Sequence, residues 1–96
     1  MVVKPELLDS YVVAGIDFEA RRGPYARPIT IWRADTLVGY VPRDELGHDF
    51  PHARYDPTFL ASIAHVEPWP GLTIAAEART AYQNTPRQPG ARTCEG

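Results

Sequence analysis

Lysine is nearly missing from this 96-residue chain: nine of its ten basic residues are arginine, and Lys4 is the exception. Arginine suits planar, bidentate and stacked contacts better than lysine does, and a bias in coding composition accounts for the excess equally well. Cysteine occurs once, at Cys94 in a polar stretch. That excludes an internal disulfide and offers no activated thiolate, so an intracellular, reducing setting is the expectation. Net positive charge is also missing. The formal charge of −2 gives no overall attraction to phosphate, and nucleic-acid binding would have to come from a local patch. No run approaches the roughly twenty apolar residues of a membrane span, and the start, MVVKPELLDSYVV, lacks a basic region followed by a sustained apolar run. The expectation is a soluble, cytoplasmic protein with no membrane contact. Ten prolines and seven glycines interrupt the chain too often for long helices and favour short strands and loops.

What is present is an ordinary globular balance, 44% hydrophobic and 23% charged, in a length that holds one domain with a thin core. The predicted domain covers 1–82. A polar tail over 83–96, QNTPRQPGARTCEG, offers no large apolar side chain to bury. Residues 4–9 suit one helical turn, with Pro5 near its start and Glu6 at the positive end of its dipole. Alternation predicts a strand over 11–20, with Val12, Ala14, Ile16, Phe18 and Ala20 on its apolar face. Arg21-Arg22-Gly23-Pro24 ends it and opens a loop to Pro28. Strands follow over 29–34 and 36–42 around a tight reversal at Asp35, with Gly39 marking a bulge or a close backbone approach. Arg43 to Gly47 reads as a single helical turn. Asp56-Pro57 starts a short helix over 57–65, a strand being the competing reading of so short an apolar run, Glu67-Pro68-Trp69-Pro70-Gly71 is a rigid turn, and alternation predicts a last strand over 72–80. The fold class is α+β and β-rich: a small antiparallel sheet or partly open barrel of about four strands with one short helix.

Three constellations carry chemistry. His48, Asp49 and His52, with Asp56 and His65 nearby, are metal-ligand residue types in one long proline-bounded loop, and a metal-dependent enzyme is one reading of them. The plainer reading is a soluble loop followed by a helix cap. Arg21, Arg22, Arg27 and Arg33, interleaved with Tyr25 and Trp32, form a basic and aromatic cluster of the kind that holds single-stranded nucleic acid. Asp17, Glu19 and Asp35 flank that cluster, so exposed ion pairs are the competing reading. Tyr25, Arg27, Tyr55 and Trp69 form the third set. Aromatics of this size cannot all lie inside a domain this small, and exposed Tyr, Trp and Arg dominate protein–protein hot spots. Ser10, Ser62 and Cys94 stand in no nucleophile elbow or triad, so no catalytic residue and no cofactor is expected.

Gly39-Tyr40-Val41-Pro42-Arg43 closes a strand and leads into a helical turn. In this it resembles the closing segment of HIRAN domains, small barrels associated with DNA-processing proteins, over about Ile29 to Leu46. The resemblance implies a small barrel that binds single-stranded nucleic acid. Where that family carries an Asn-Pro-x-Asp segment, this chain has only Asp35 in a shorter turn. The same stretch is similar to the end of a Src homology 3 hairpin, where a Trp-bearing strand precedes Gly-Tyr-Val-Pro. The expectation that asks least of the residues is a non-enzymatic interaction or assembly module: a complex subunit, an accessory or inhibitor protein, or a homo-oligomer. Its means would be strand addition or an aromatic patch. Single-stranded nucleic acid is the alternative, and the histidine-loop enzyme the second alternative.

Overall fold

The computed structural model describes residues 4–85. Strand β1, Leu7–Val13, and strand β2, Ile16–Arg22, form a hairpin that reverses in two residues, Ala14 and Gly15. Both take positive φ, 53° and 78°, which lets a two-residue turn follow the right-handed twist of its strands. The strand expected over 11–20 is therefore two strands. Ala-Gly lacks the Asn-Gly or Asp-Gly signature of such a turn, and the apolar alternation reads straight through it. The faces change as well: Tyr11 and Val13 join Ile16, Phe18 and Ala20 on the packed face, while Val12 is 63% exposed. Nor is there a helical turn over 4–9, because Leu7 already belongs to β1.

Strands β3, Ile29–Arg33, and β4, Thr36–Val41, pair around Ala34 and Asp35 much as their alternation predicts. A register shift between Ile31 and Trp32 leaves Val38 without a partner residue across the ladder, so Val38 and Val41 both reach the core. Strand β5, Arg54–Tyr55, adds to β4. It can do so because position 39 is glycine: a methyl group there would stand 2.7 Å from the Tyr55 ring and 2.9 Å from the Arg54 carbonyl. The sheet is antiparallel throughout, ordered β1-β2-β3-β4-β5, and open.

Helix α1, Pro57–Ser62, starts as its sequence indicates, with the Asp56 carboxylate accepting from the Thr58 N–H and Pro57 fitting the first turn. It stops short of the expected residue 65, since Ile63 leaves the helix and turns into the core. The last element corrects the expectation of a strand over 72–80: Gly71–Asn84 is helix α2. Its buried residues Ile74, Ala75, Ala78 and Ala81 recur at helical spacing, whereas Leu72, at the head of the alternating set, is exposed. Alanine is the strongest helix former, and four of them stand between 75 and 81. The helix also runs through residues 83 and 84 of the expected tail. Residues 86–96 of that tail lie outside the described residues.

Alpha-helix α2 lies on one face of the sheet. There Phe18, Ile29, Ile31, Val38 and Val41 meet its alanine row, and Phe59 and Ile63 join the same cluster. Trp32 is also buried, but it alternates with Ile29 and Ile31 and so stands on the opposite face, outside that cluster. Ala14 in a left-handed conformation costs about 1 kcal/mol, a penalty that asparagine largely avoids in an Asn-Gly turn. Ala14→Asn should therefore raise unfolding stability by roughly 0.5–1 kcal/mol. A urea midpoint that fails to rise would contradict the turn geometry.

Candidate functional site

The open face of the sheet is crossed by the chain before β1. Lys4 Nζ lies 3.5 Å from the Glu19 carboxylate on β2 and 3.0 Å from Asp35, and it donates to the Ala34 carbonyl. Arg21 donates to the Pro5 carbonyl at 2.6 Å and to Glu19 at 3.0 Å, and Arg22 pairs with Glu6. The Arg21 hydrogen bond, with Lys4 adding to it, holds the Glu19 carboxyl below its ordinary value.

The free edge of β1 is blunted. In a two-residue hairpin the pair flanking the turn exchanges both hydrogen bonds, so alternation turns the backbone groups of Ser10 and Val12 outward. The Ser10 N–H is taken by the Asp9 carboxylate, and the Leu8 carbonyl accepts from the Thr85 hydroxyl. At the other edge β5 is two residues long. Val12 keeps its outward N–H and C=O without a partner among the described residues, so the β1 edge is occupied only in part and β5 offers a short ladder.

At one end of the sheet a different arrangement stands out. The loop between β2 and β3 is tied by Gly23 N–H to the Pro28 carbonyl and by Arg27 N–H to the Pro24 carbonyl. Arg43, just past the end of β4, folds back on it: its N–H donates to the Ala26 carbonyl, its Nε to the Tyr25 carbonyl, and its guanidinium lies 3.8 Å from the Tyr25 ring centre. Arg27 lies 4.5 Å over the ring of Tyr40, and Arg22 lies 5.5 Å over that of Tyr82 on α2. Each exposed arginine–ring contact is worth about 0.5–1 kcal/mol. Together they set three guanidiniums and three rings at one end of the molecule. Among the described residues neither Arg27 nor Arg43 has a carboxylate within ion-pair distance, while Tyr25 is 77% exposed.

The four arginines grouped in the sequence part company. Arg21 and Arg22 alternate onto opposite faces, and Arg21 is held by Glu19 and Pro5. Arg33 lies at the far end of β3 beside the Ala34-Asp35 reversal. Arg22 and Tyr25 remain together around one cleft and are joined there by Arg43 and Tyr82, which residue proximity did not suggest, while Arg27 stands over Tyr40 on the Arg21 side of the same end. Tyr40 and Arg43 do belong to the Gly-Tyr-Val-Pro-Arg closure, and Tyr40 is also one of the aromatics too many to lie inside a domain this small. Tyr55 and Trp69 lie elsewhere. Tyr55 donates its hydroxyl to the Gly71 carbonyl, Tyr11 donates to that of Ile74, and burial pushes both phenols above their ordinary value. The two tyrosines thus stay neutral donors that fasten α2 to the sheet. Trp69 is half exposed and packs on Gly71.

His48, Asp49 and His52 are exposed, and the loop is organised by Glu45 through backbone groups: its carbonyl accepts from the His48 N–H and its carboxylate from the His52 N–H. Among the described residues no three His, Cys, Asp or Glu side chains come together in a way that would hold a metal ion. No helix among them is long and apolar enough to cross a membrane. No family model, no curated protein and no solved structure matches this chain.

The Glu19 contacts predict a small acid effect. Its folded pKa lies below the unfolded value near 4.3, so its contribution is complete above about pH 5 and is lost as pH falls through the folded value. Exposure to solvent and salt limits it to about 0.5 kcal/mol. In urea unfolding at pH 6 and pH 3, Glu19→Gln should lose less stability on acidification than the parent chain by about that amount. Equal losses would remove Glu19 from the acid response.

Proposed function

We propose that this chain is a non-enzymatic binding module, a subunit or accessory protein of a larger assembly, and that its working surface is the arginine–tyrosine end of the sheet. Its partner on this reading is a protein that presents acidic side chains. The Tyr25–Arg43 pair carries the reading. Tyr25 is the most exposed of the large hydrophobic side chains, yet it is held through both its ring and its carbonyl. A large side chain fixed before contact loses little further freedom on binding. Tyrosine and arginine are also the residue types on which interface energy concentrates. Arg27 and Arg43, lacking carboxylates of their own among the described residues, supply the charge that an acidic partner complements. The partial occupation of the β1 edge and the two-residue length of β5 leave strand addition the weaker means.

Single-stranded nucleic acid is the second reading. It is favoured by one observation: Tyr40 and Arg43, both in the segment that resembles HIRAN domains, are two of the residues that build this face. Rings backed by arginine are suitable platforms for bases. The net charge of −2 opposes a long polyanion.

A photo-crosslinking phenylalanine placed at position 25 in cells should capture protein, while the same group at Thr73, on the exposed side of α2, should not. Absence of any protein adduct from position 25 would end the first reading. With a captured partner in hand, Arg27→Ala or Arg43→Ala should each weaken binding by about 1–2 kcal/mol, roughly 5- to 30-fold. A salt-dependent titration with single-stranded oligonucleotide decides the second reading. Binding at low salt that either substitution abolishes would establish it in place of the first.

A further inference from the structure

We infer that the cleft behind this face is a carboxylate site, which takes one acidic side chain of the protein partner between Arg22 and Arg43. The inference rests on reading the face as protein-binding. The cleft measures about 170 Å³, with Arg22, Arg43, Tyr25 and Tyr82 among its walls and Gly23 and Pro28 behind them. That volume accepts a carboxylate with its short stem.

Arg22 enters it well shielded from water, its side chain only 15% exposed. Its Nε is engaged by Glu6 and one Nη by the Thr85 carbonyl, while the guanidinium lies over Tyr82. N–H groups on its remaining Nη have no acceptor among the described residues. On the facing side Arg43 uses its Nε on the Tyr25 carbonyl, and neither of its Nη groups has an acceptor among the described residues. Each guanidinium is held by a hydrogen bond from its Nε and by contact with a tyrosine ring, and its remaining N–H groups offer the fork that matches a carboxylate edge.

The ion pairing is incomplete. Of the carboxylates near these two arginines, Glu6 pairs with Arg22, Glu45 accepts from the His52 N–H, and Asp44 is exposed without an ion pair among the described residues. Among the described residues the Arg43 guanidinium thus has no carboxylate partner, and an acidic side chain of the partner supplies one. The wall behind is held by the Gly23 N–H to Pro28 carbonyl and Arg27 N–H to Pro24 carbonyl bonds, and a side chain on Gly23 would collide with the Arg27 carbonyl. A single carboxylate is preferred to a phosphodiester chain because the molecule as a whole is acidic. Its field opposes successive phosphates and leaves one short-range paired anion nearly unaffected.

The test is a nitrogen-15 NMR titration of the arginine Nε–H signals with a capped tetraglutamate peptide. The signals of Arg22 and Arg43 should move together and saturate, while that of Arg33, at the other end of the sheet, stays in place. Arg43→Gln should weaken the peptide at least tenfold without changing the backbone spectrum away from the loop. Arginine signals that all drift alike without saturating would overturn the site. So would a thymidine pentanucleotide, which carries the same four charges, if it bound at the cleft tenfold more tightly than the peptide. Loss of peptide binding with crosslinks from position 25 intact would remove this inference alone. A cleft that takes the peptide while position 25 captures nothing would remove the reading of the face instead.

Discussion

A single apolar layer between one face of a five-stranded sheet and one helix carries most of the burial in this chain, and the remaining structure answers to that constraint. Phe18, Ile29, Ile31 and Val41 supply the volume from the sheet side. Each such side chain contributes about 1.5–3 kcal/mol when fully buried. From the helix side come Ile74 and three alanines, which contribute little area of their own and let the helix approach closely. Close approach in turn brings the Gly71 and Ile74 carbonyls within reach of the Tyr55 and Tyr11 hydroxyls. These bonds tie the helix to both halves of the sheet. Without them a helix whose inner face is mostly methyl groups would be poorly located along the strands.

A core confined to one face leaves the other face and the sheet ends to be managed by polar chemistry. On the open face that role falls to Lys4, Glu19, Arg21 and Asp35, a set of partly buried to exposed pairs each worth about 1 kcal/mol or less, around the buried Trp32. The Trp32 indole N–H is satisfied by the Thr30 hydroxyl, which donates in turn to the Arg21 carbonyl. At the loop end the apolar layer gives out, and of residues 23–28 Pro28 alone is buried. Order there comes from four backbone or backbone-directed hydrogen bonds and from guanidiniums stacked on rings. A loop held this way keeps its arginines and tyrosines at the surface, where an apolar anchor would have drawn them in.

Parts of this were legible before any coordinates. The hairpin of β3 and β4, the close approach at Gly39 and the Asp56-Pro57 helix start each have one physical cause expressed locally, and local causes survive folding. The two-residue reversal at Ala14-Gly15 was not legible, because alanine does not advertise positive φ and the apolar alternation continues through it. Helix α2 was hidden by its composition. Leu72, Ile74, Ala76 and Ala78 alternate, and alanine fits either period, so the packing of Ala75 and Ala81 against the sheet had to decide. The binding face was half legible. Arg22, Tyr25 and Arg27 are neighbours in sequence, but Arg43 and Tyr82 reach them only through the fold-back after Pro42 and the path of α2. Sequence proximity likewise misplaced Arg21, since adjacent strand residues point to opposite faces, and Arg33, which β3 carries to the far end.

The same alternation bears on how such a domain engages a partner. An open sheet has two edges, and an edge with free N–H and C=O groups pairs with almost any extended chain. Here the Ser10 N–H and the Leu8 carbonyl are occupied from within the chain, and the opposite edge is one short strand. Backbone pairing is thereby restricted, and discrimination passes to side chains, whose charge and shape distinguish one partner from another. Arg27 and Arg43 are suited to that role because each already rests against a ring, and Arg43 is further held by its Nε bond to the Tyr25 carbonyl. Ordering a free arginine at an interface costs about 0.5–1.5 kcal/mol, a cost the folded loop has largely met before any partner arrives.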